Sequence, residues 1–177
     1  MTEETVETLY LLGEQDRIVG VSGFTVRPPE ARKEKPKVSA FTSAKIPKIL
    51  DLKPDLVLGF SDLQADIAAD LIKYGIEVYI FNHRTVGGIL RMIRTLGRLV
   101  DAADAADSLA NSYEKRIDSI KQETSKWKVR PKVFFEEWHN PTISGIGWVS
   151  ELIEICGGID CYAENAKHQG GKDRIIA

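Results

Sequence analysis

From about residue 85 to residue 127 the chain carries its longest helical pattern. Ile89, Leu90, Met92, Ile93, Leu96, Leu99 and Val100 recur at three- and four-residue spacing and so fall on one helix face. Ala103, Ala106, Leu109, Ala110, Tyr113, Ile117 and Ile120 follow in a second phase. Between the sets, Asp101-Ala-Ala-Asp104 offers a carboxylate N-cap where one helix ends and the next begins. A helix over 103–127 would be roughly 36 Å long, about the width of a small domain. Its charged outer face (Asp107, Glu114, Lys115, Arg116, Asp118, Lys121) suits solvent. Such a rod is either a surface helix of one domain or a strut between two lobes. β/α pattern on both sides of it favours the strut.

Before the rod the chain alternates. Residues 3–12 read as a helix stopped by Gly13, residues 17–21 (Arg-Ile-Val-Gly-Val) as a strand, and 22–37 as a loop broken by Pro28, Pro29 and Pro36. Residues 38–41 are extended, 44–52 a short helix, 55–60 a strand apolar on both faces, 63–74 a helix closed by Gly75, and 77–81 a strand. After the rod come a strand over 132–136 and a helix over 147–155, stopped by Gly157-Gly158. The expected class is α/β: two β/α, Rossmann-like lobes joined by one long helix. The lobes divide as 1–100, a linking helix over 101–127, and a partial second lobe over 128–177. One strand and one or two helices cannot cover both faces of a parallel sheet, so either the chain is a fragment or a partner, such as a paired, domain-swapped dimer, completes the second lobe.

Composition removes several classes of function. A net charge of −2 gives no reason to expect nucleic acid or an anionic membrane as partner. With 43% hydrophobic and 28% charged residues the chain can build an ordinary soluble core, and no run is long enough to span a bilayer. The acidic start, Thr2-Glu3-Glu4, does not read as an export signal, which leaves a cytoplasmic location or a removed signal. Cys156 and Cys161 lack metal-site spacing and only three histidines are present, so no metal site is expected. Whether the two thiols are bridged is open.

Ligands of parallel β/α sheets bind beyond the carboxyl ends of the strands. Phe24, Phe41 and Phe60 each fall there, and Trp138 and His139 follow the strand over 132–136 in the equivalent place. Aromatic walls around a cleft between lobes suit a large, partly apolar ligand held by area rather than charge. Arg27 is a candidate contact for an anionic ligand group. Other motifs are weaker. Gly145-Ile-Gly147 lacks the third glycine of a dinucleotide fingerprint. Ser144 and Ser150 have no nucleophile elbow. Of Glu136 and Glu137, neighbours on a strand, only one can face a cleft as acid or base. His83 and His139 are metal-ligand types that are as readily surface loop residues.

Several segments resemble the substrate-binding proteins of cobalamin and ferric-siderophore ABC importers that have a single helical backbone. They are Thr5-Val-Glu-Thr-Leu-Tyr-Leu-Leu-Gly13, Arg17-Ile-Val-Gly-Val-Ser22, Pro28-Pro29, Leu50-Asp-Leu-Lys-Pro-Asp-Leu-Val-Leu58 and the rod. Within that family, Glu136-Glu-Trp-His-Asn-Pro-Thr-Ile-Ser-Gly-Ile-Gly-Trp-Val-Ser-Glu-Leu152 with Gly157-Gly158 looks most like cobalamin-binding members. The resemblance implies a corrinoid or similar metal chelate as ligand rather than cofactor, with no catalysis. It implies an extracytoplasmic location and ABC importer membrane subunits as partners. It places Phe24, Phe41 and Phe60 against the corrin, with Trp138 and Trp148 as further contacts. It also implies a strand before the first helix and a longer second lobe, and by that comparison this chain lacks both. The first-lobe docking acid of such importers falls near Pro47 or Lys48, where no carboxylate stands. Heme or a ferric siderophore is the alternative ligand. A chelatase-like enzyme using His139 with Glu136 or Glu137 is the alternative of another class.

Overall fold

The computed structural model describes residues 1–176. The chain divides into two compact units, one formed by residues 1–83 with 92–107, the other by 84–91 with 108–177.

In the first unit, α1 (Glu3–Leu11) buries Thr5, Val6, Thr8 and Leu9 on one face and gives way to Gly13 at φ +78°, a conformation that glycine adopts without strain. Strand β1 (Val21–Ser22) pairs parallel with β2 (Lys37–Ser39), and β3 (Leu56–Phe60) pairs parallel with β4 (Glu77–Phe81) in unbroken register, Phe60 opposite Phe81. Helices α2 (Pro29–Glu34), α3 (Ile46–Asp51) and α4 (Ala65–Lys73) separate the strands. The core gathers Met1, Val38, Ile49, Val57, Ile67 and Leu71, flanked by Ala44, Ile46, Leu52, Ile76 and Val78. These apolar residues recur at strand and helix periods, so each element delivers them to one side.

The region over 85–127 is two helices, α5 (Val86–Leu99) and α6 (Ala103–Thr124). Each unit takes part of both. The expected carboxylate cap does not form. Asp101 adopts φ +59°, and the carbonyl of Ala102 accepts the N–H of Ala106, which puts the cap position on Ala102. A Cβ on Gly97 would stand 2.2 Å from the Ala106 Cβ and 2.9 Å from the Ala102 oxygen, so α5 meets α6 nearly backbone to backbone.

In the second unit β5 (Lys132–Val133) pairs parallel with β8 (Ile159–Asp160), β6 (Glu136–His139) pairs antiparallel with β7 (Thr142–Ser144), and α7 (Gly147–Ile155) follows.

Three further sequence expectations change. The segment 22–37 is not wholly irregular: Pro29 opens α2, because the first turn of a helix needs no N–H from proline. The strand expected over 17–21 shortens to Val21–Ser22, since residues 15–17 turn into a 3-10 helix. The strand expected over 132–136 is two strands, and Trp138 and His139 lie inside an antiparallel hairpin rather than beyond a parallel strand's end.

Candidate ligand-binding site

Phe24 and Phe41 lie two residues beyond the ends of β1 and β2, Phe60 is the last residue of β3, and polar anchors hold the backbone around each. After β1 the chain turns, with Thr25 N–H donating to the Ser22 carbonyl at 3.1 Å and Phe24 N–H to Ser22 Oγ at 3.2 Å. Arg32 of α2 brackets that turn, donating from Nη1 to the carbonyls of Gly23 at 2.8 Å and Thr25 at 3.4 Å. Phe24 is left 60% exposed, an unusual position for so large an apolar ring. After β2, Ala40 N–H donates to Ser43 and Lys45 N–H to Val38, both at 2.8 Å, and the tight loop carries Phe41 at 38% exposure. Phe60 closes β3 and lies against His83, ring centroids 4.9 Å apart.

Gln64 joins two of these anchors. Its side chain is fully buried; Nε2 donates to the Phe41 carbonyl at 2.9 Å and the Met1 carbonyl at 3.2 Å, while Oε1 accepts the Phe60 N–H at 3.2 Å. A buried amide is tolerable only with its donors and acceptor matched, and here they are. Ser61, at φ +69°, receives the Leu63 N–H on Oγ and donates its own N–H to Phe81, turning the chain from β3 toward Gln64. Since Gly23 N–H donates to the Ser39 carbonyl at 2.7 Å, the ends of β1, β2 and β3 share one edge of the unit. Phe24, Phe41 and Phe60 are thus brought to that edge.

Sequence reasoning missed both Gln64 and Arg32. The only trace of Gln64 was a polar residue in a strand-to-helix junction, Ser61-Asp62-Leu63-Gln64, that is followed by an amphipathic helix. Arg27, expected toward a ligand, instead meets Glu7 of α1 at 2.8 Å.

In the second unit Trp138 is 57% exposed, stacks on His139 with centroids 5.6 Å apart, and donates from Nε1 to the Asn140 carbonyl at 3.0 Å. Trp148 is half-buried in the first turn of α7. Glu137 forms a two-pronged pair with Arg174 at 2.6 and 2.9 Å. Arg174, only 3% exposed, also donates to the Ser144 carbonyl at 2.6 Å, and Ser144 Oγ returns a bond to the Arg174 carbonyl at 3.1 Å. Glu137 is therefore engaged as a structural counter-ion. Among the described residues no group of three His, Cys, Asp or Glu side chains could hold a metal ion. Cys156 and Cys161 are free thiols, both exposed.

Phe24 and Phe41 are exposed and Phe60 half-buried along this edge of the first unit, and known proteins share the fold that carries it. The chain belongs to the periplasmic binding protein family, whose sequence pattern matches residues 1–175. Among curated proteins it is 26% identical over 171 residues to a vitamin B12-binding protein of Vibrio campbellii, covering 94% of this chain and 61% of that one. It is likewise 26% identical over 169 residues to a vitamin B12-binding protein of Vibrio cholerae, covering 93% and 60%. The chain thus spans about three fifths of the curated relatives' length.

Solved structures with the same fold include the periplasmic vitamin B12 binding protein of Vibrio cholerae (TM-score 0.78, 24% identity, 93% of this chain and 65% of that one). The periplasmic heme-binding protein RhuT of Roseiflexus sp. RS-1 is similar at TM-score 0.80 and 20% identity, with 92% and 64% covered. The fold class is α/β, the fold of those vitamin B12-binding and heme-binding proteins.

Proposed function

We propose that this chain binds a corrinoid, or a metal chelate of similar shape, without catalysing its conversion, as the solute receptor of an ABC-type importer acting outside the cytoplasm. The observation that carries this is the set of Phe24, Phe41 and Phe60 at one edge of the first unit, two of them substantially exposed. Apolar rings facing water are unfavourable, and a large flat ligand would cover them. The sequence relatives named for vitamin B12 support the corrinoid over other chelates.

Trp138, His139 and Trp148 are the second-unit residues proposed to touch the ligand, and the division into lobe 1–100, linking helix 101–127 and partial lobe 128–177 belongs to the same reading. Arg27 is the weakest member of the proposed set because Glu7 already matches its charge. Docking to importer subunits would proceed without a first-lobe acid near Pro47, since Lys48 there donates to the Lys37 carbonyl at 2.9 Å.

The test is titration of the chain with cyanocobalamin and, separately, with hemin. Visible absorbance and tryptophan fluorescence are followed in each. Saturable binding of cyanocobalamin supports the reading. Saturable binding of hemin alone moves the ligand to heme, and no response to either sinks it.

A further inference from the structure

A net charge of −2 conceals an uneven spread of cations. Seven of the chain's 24 lysines and arginines fall within residues 32–53, against two carboxylates, Glu34 and Asp51. Four of these lysines come together at one edge of the first unit.

That edge is β2, whose only ladder partner among the described residues is β1. Lys37 opens β2 and is exposed, whereas Val38 and Ser39 are buried. Lys35 precedes it by two residues in extended backbone (φ −103°, ψ 139°), the spacing that sends side chains to one side. From the other flank the start of α3 closes on the strand. Lys45, at the N-cap of α3, donates its backbone N–H to the Val38 carbonyl at 2.8 Å. Lys48 donates from Nζ to the Lys37 carbonyl at 2.9 Å. Lys45 and Lys48, three residues apart, share one face of that first turn. Four lysines thus border one short strand.

Among the described residues none of the four pairs with a carboxylate, and the one side-chain bond, from Lys48, goes to a carbonyl. Lysines elsewhere do pair: Lys73 with Asp70, Lys126 with Glu123 and Lys167 with Glu164. The α2 carboxylates lie beside Tyr10 of α1, where burial pushes the phenol up and Glu34 and Glu30 add to it. Like charges held together repel, and a polyanionic surface would relieve them.

The kind of cation selects the kind of anion. Lysine is a hydrated point charge on a flexible stem, without the planar fork by which arginine grips a single carboxylate or phosphate. Several such stems along an exposed edge meet many headgroups at once, and clusters of about four to eight basic side chains are what anionic bilayers attract. Over the rest of the chain carboxylates outnumber cations, so the same bilayer would repel the other faces.

We propose that Lys35, Lys37, Lys45 and Lys48 form a docking surface for the anionic headgroups of a lipid bilayer. The proposal goes beyond the chelate reading and does not depend on it, since none of the three phenylalanines takes part.

The test is co-sedimentation of the whole chain with vesicles of phosphatidylcholine alone and of phosphatidylcholine with about one third phosphatidylglycerol. In dilute salt the chain should partition at least tenfold more onto the anionic vesicles, and salt at about 0.5 M should abolish the difference. Glutamine at all four positions (Lys35→Gln, Lys37→Gln, Lys45→Gln, Lys48→Gln) should lower that partition tenfold or more. Arginine at the same four positions should keep it. A variant of equal net charge with glutamine at Lys115, Lys121, Lys126 and Lys128 should also keep it. Equal partition onto both vesicle types, or onto neither, would overturn the proposal. So would an equal loss in the second glutamine variant, which would mean net charge alone. Displacement by inorganic phosphate at matched ionic strength would overturn it as well, because the site would then take one free anion. Binding to soluble polyglutamate without binding to vesicles would do the same, an acidic protein then being the partner.

Discussion

Gln64 holds the Phe41 carbonyl at 2.9 Å and the Phe60 N–H at 3.2 Å, so one buried amide fixes two of the three rings proposed to bind ligand. Replacing it with alanine would leave the Phe60 N–H, the Phe41 carbonyl and the Met1 carbonyl without this partner and open a cavity. Gln64→Ala should lower stability by about 2–4 kcal/mol. Gln64→Glu keeps the acceptor but loses the donor, and should weaken cyanocobalamin binding at least as much. Chemical unfolding and the absorbance titration measure the two effects.

Phe24 gives the complementary case. Its ring is mostly in water, so Phe24→Ala should change stability by less than about 0.5 kcal/mol. If the ring stacks on ligand, affinity should fall about tenfold, equivalent to roughly 1.4 kcal/mol. Arg32→Met, which frees the turn without touching the ring, should produce a smaller loss of affinity. Unchanged affinity in Phe24→Ala would remove this residue from the site.

Gly97 is set by the close approach of α5 to α6. Gly97→Val should destabilise the chain by about 3 kcal/mol or more, because backbone as well as Ala106 blocks the added atoms. Pairing it with Ala106→Gly should restore only part of the loss, since the Ala102 carbonyl remains in the way. Thermal unfolding of the single and double variants decides this.

Arg174 and Glu137 make a pair whose arginine is nearly inaccessible while the Glu137 side chain stays 37% exposed. Arg174→Met should destabilise the second unit by about 1–3 kcal/mol, chiefly because the Ser144 carbonyl loses its buried donor while Glu137 can turn to water. All three tryptophans (127, 138 and 148) belong to that unit, so their fluorescence follows its unfolding selectively.

Burial pushes the Glu4 carboxyl above its ordinary value of 4.5, with Glu3 adding repulsion, while Thr2 Oγ1 donates to it. A carboxyl raised on folding favours the folded state below about pH 4.5, and that contribution is lost as pH rises through the raised value. Charged Glu4 therefore costs stability at pH 7. Glu4→Gln should raise the melting temperature at pH 7 by about 2–4 °C, and the gain should shrink as pH falls toward 4. Melting curves at pH 4 and pH 7 test the sign.

Elements were legible in the sequence wherever one period ran uninterrupted. The strand over 77–81 and the helix over 147–155 have the expected bounds, and the three phenylalanines were placed at strand ends by counting along β/α alternation. Hydrophobic period is a local property, fixed by the geometry of each element's own backbone. Local signals misled where a competing contact won: Asp101 looked like a cap, but the packing of Gly97 on Ala106 accompanies a turn that puts Ala102 there.

The sequence by itself determined the α/β class, the succession of elements from residue 44 to residue 124 and the aromatic character of the strand ends, because these follow from side-chain type and spacing. Only the tertiary structure decided that Gln64 ties Phe41 to Phe60, that Arg32 braces Phe24 and that Glu137 belongs to Arg174, 37 residues away. Such partners are chosen by which surfaces the packed core brings within hydrogen-bond reach, and residue spacing along the chain carries no record of that distance.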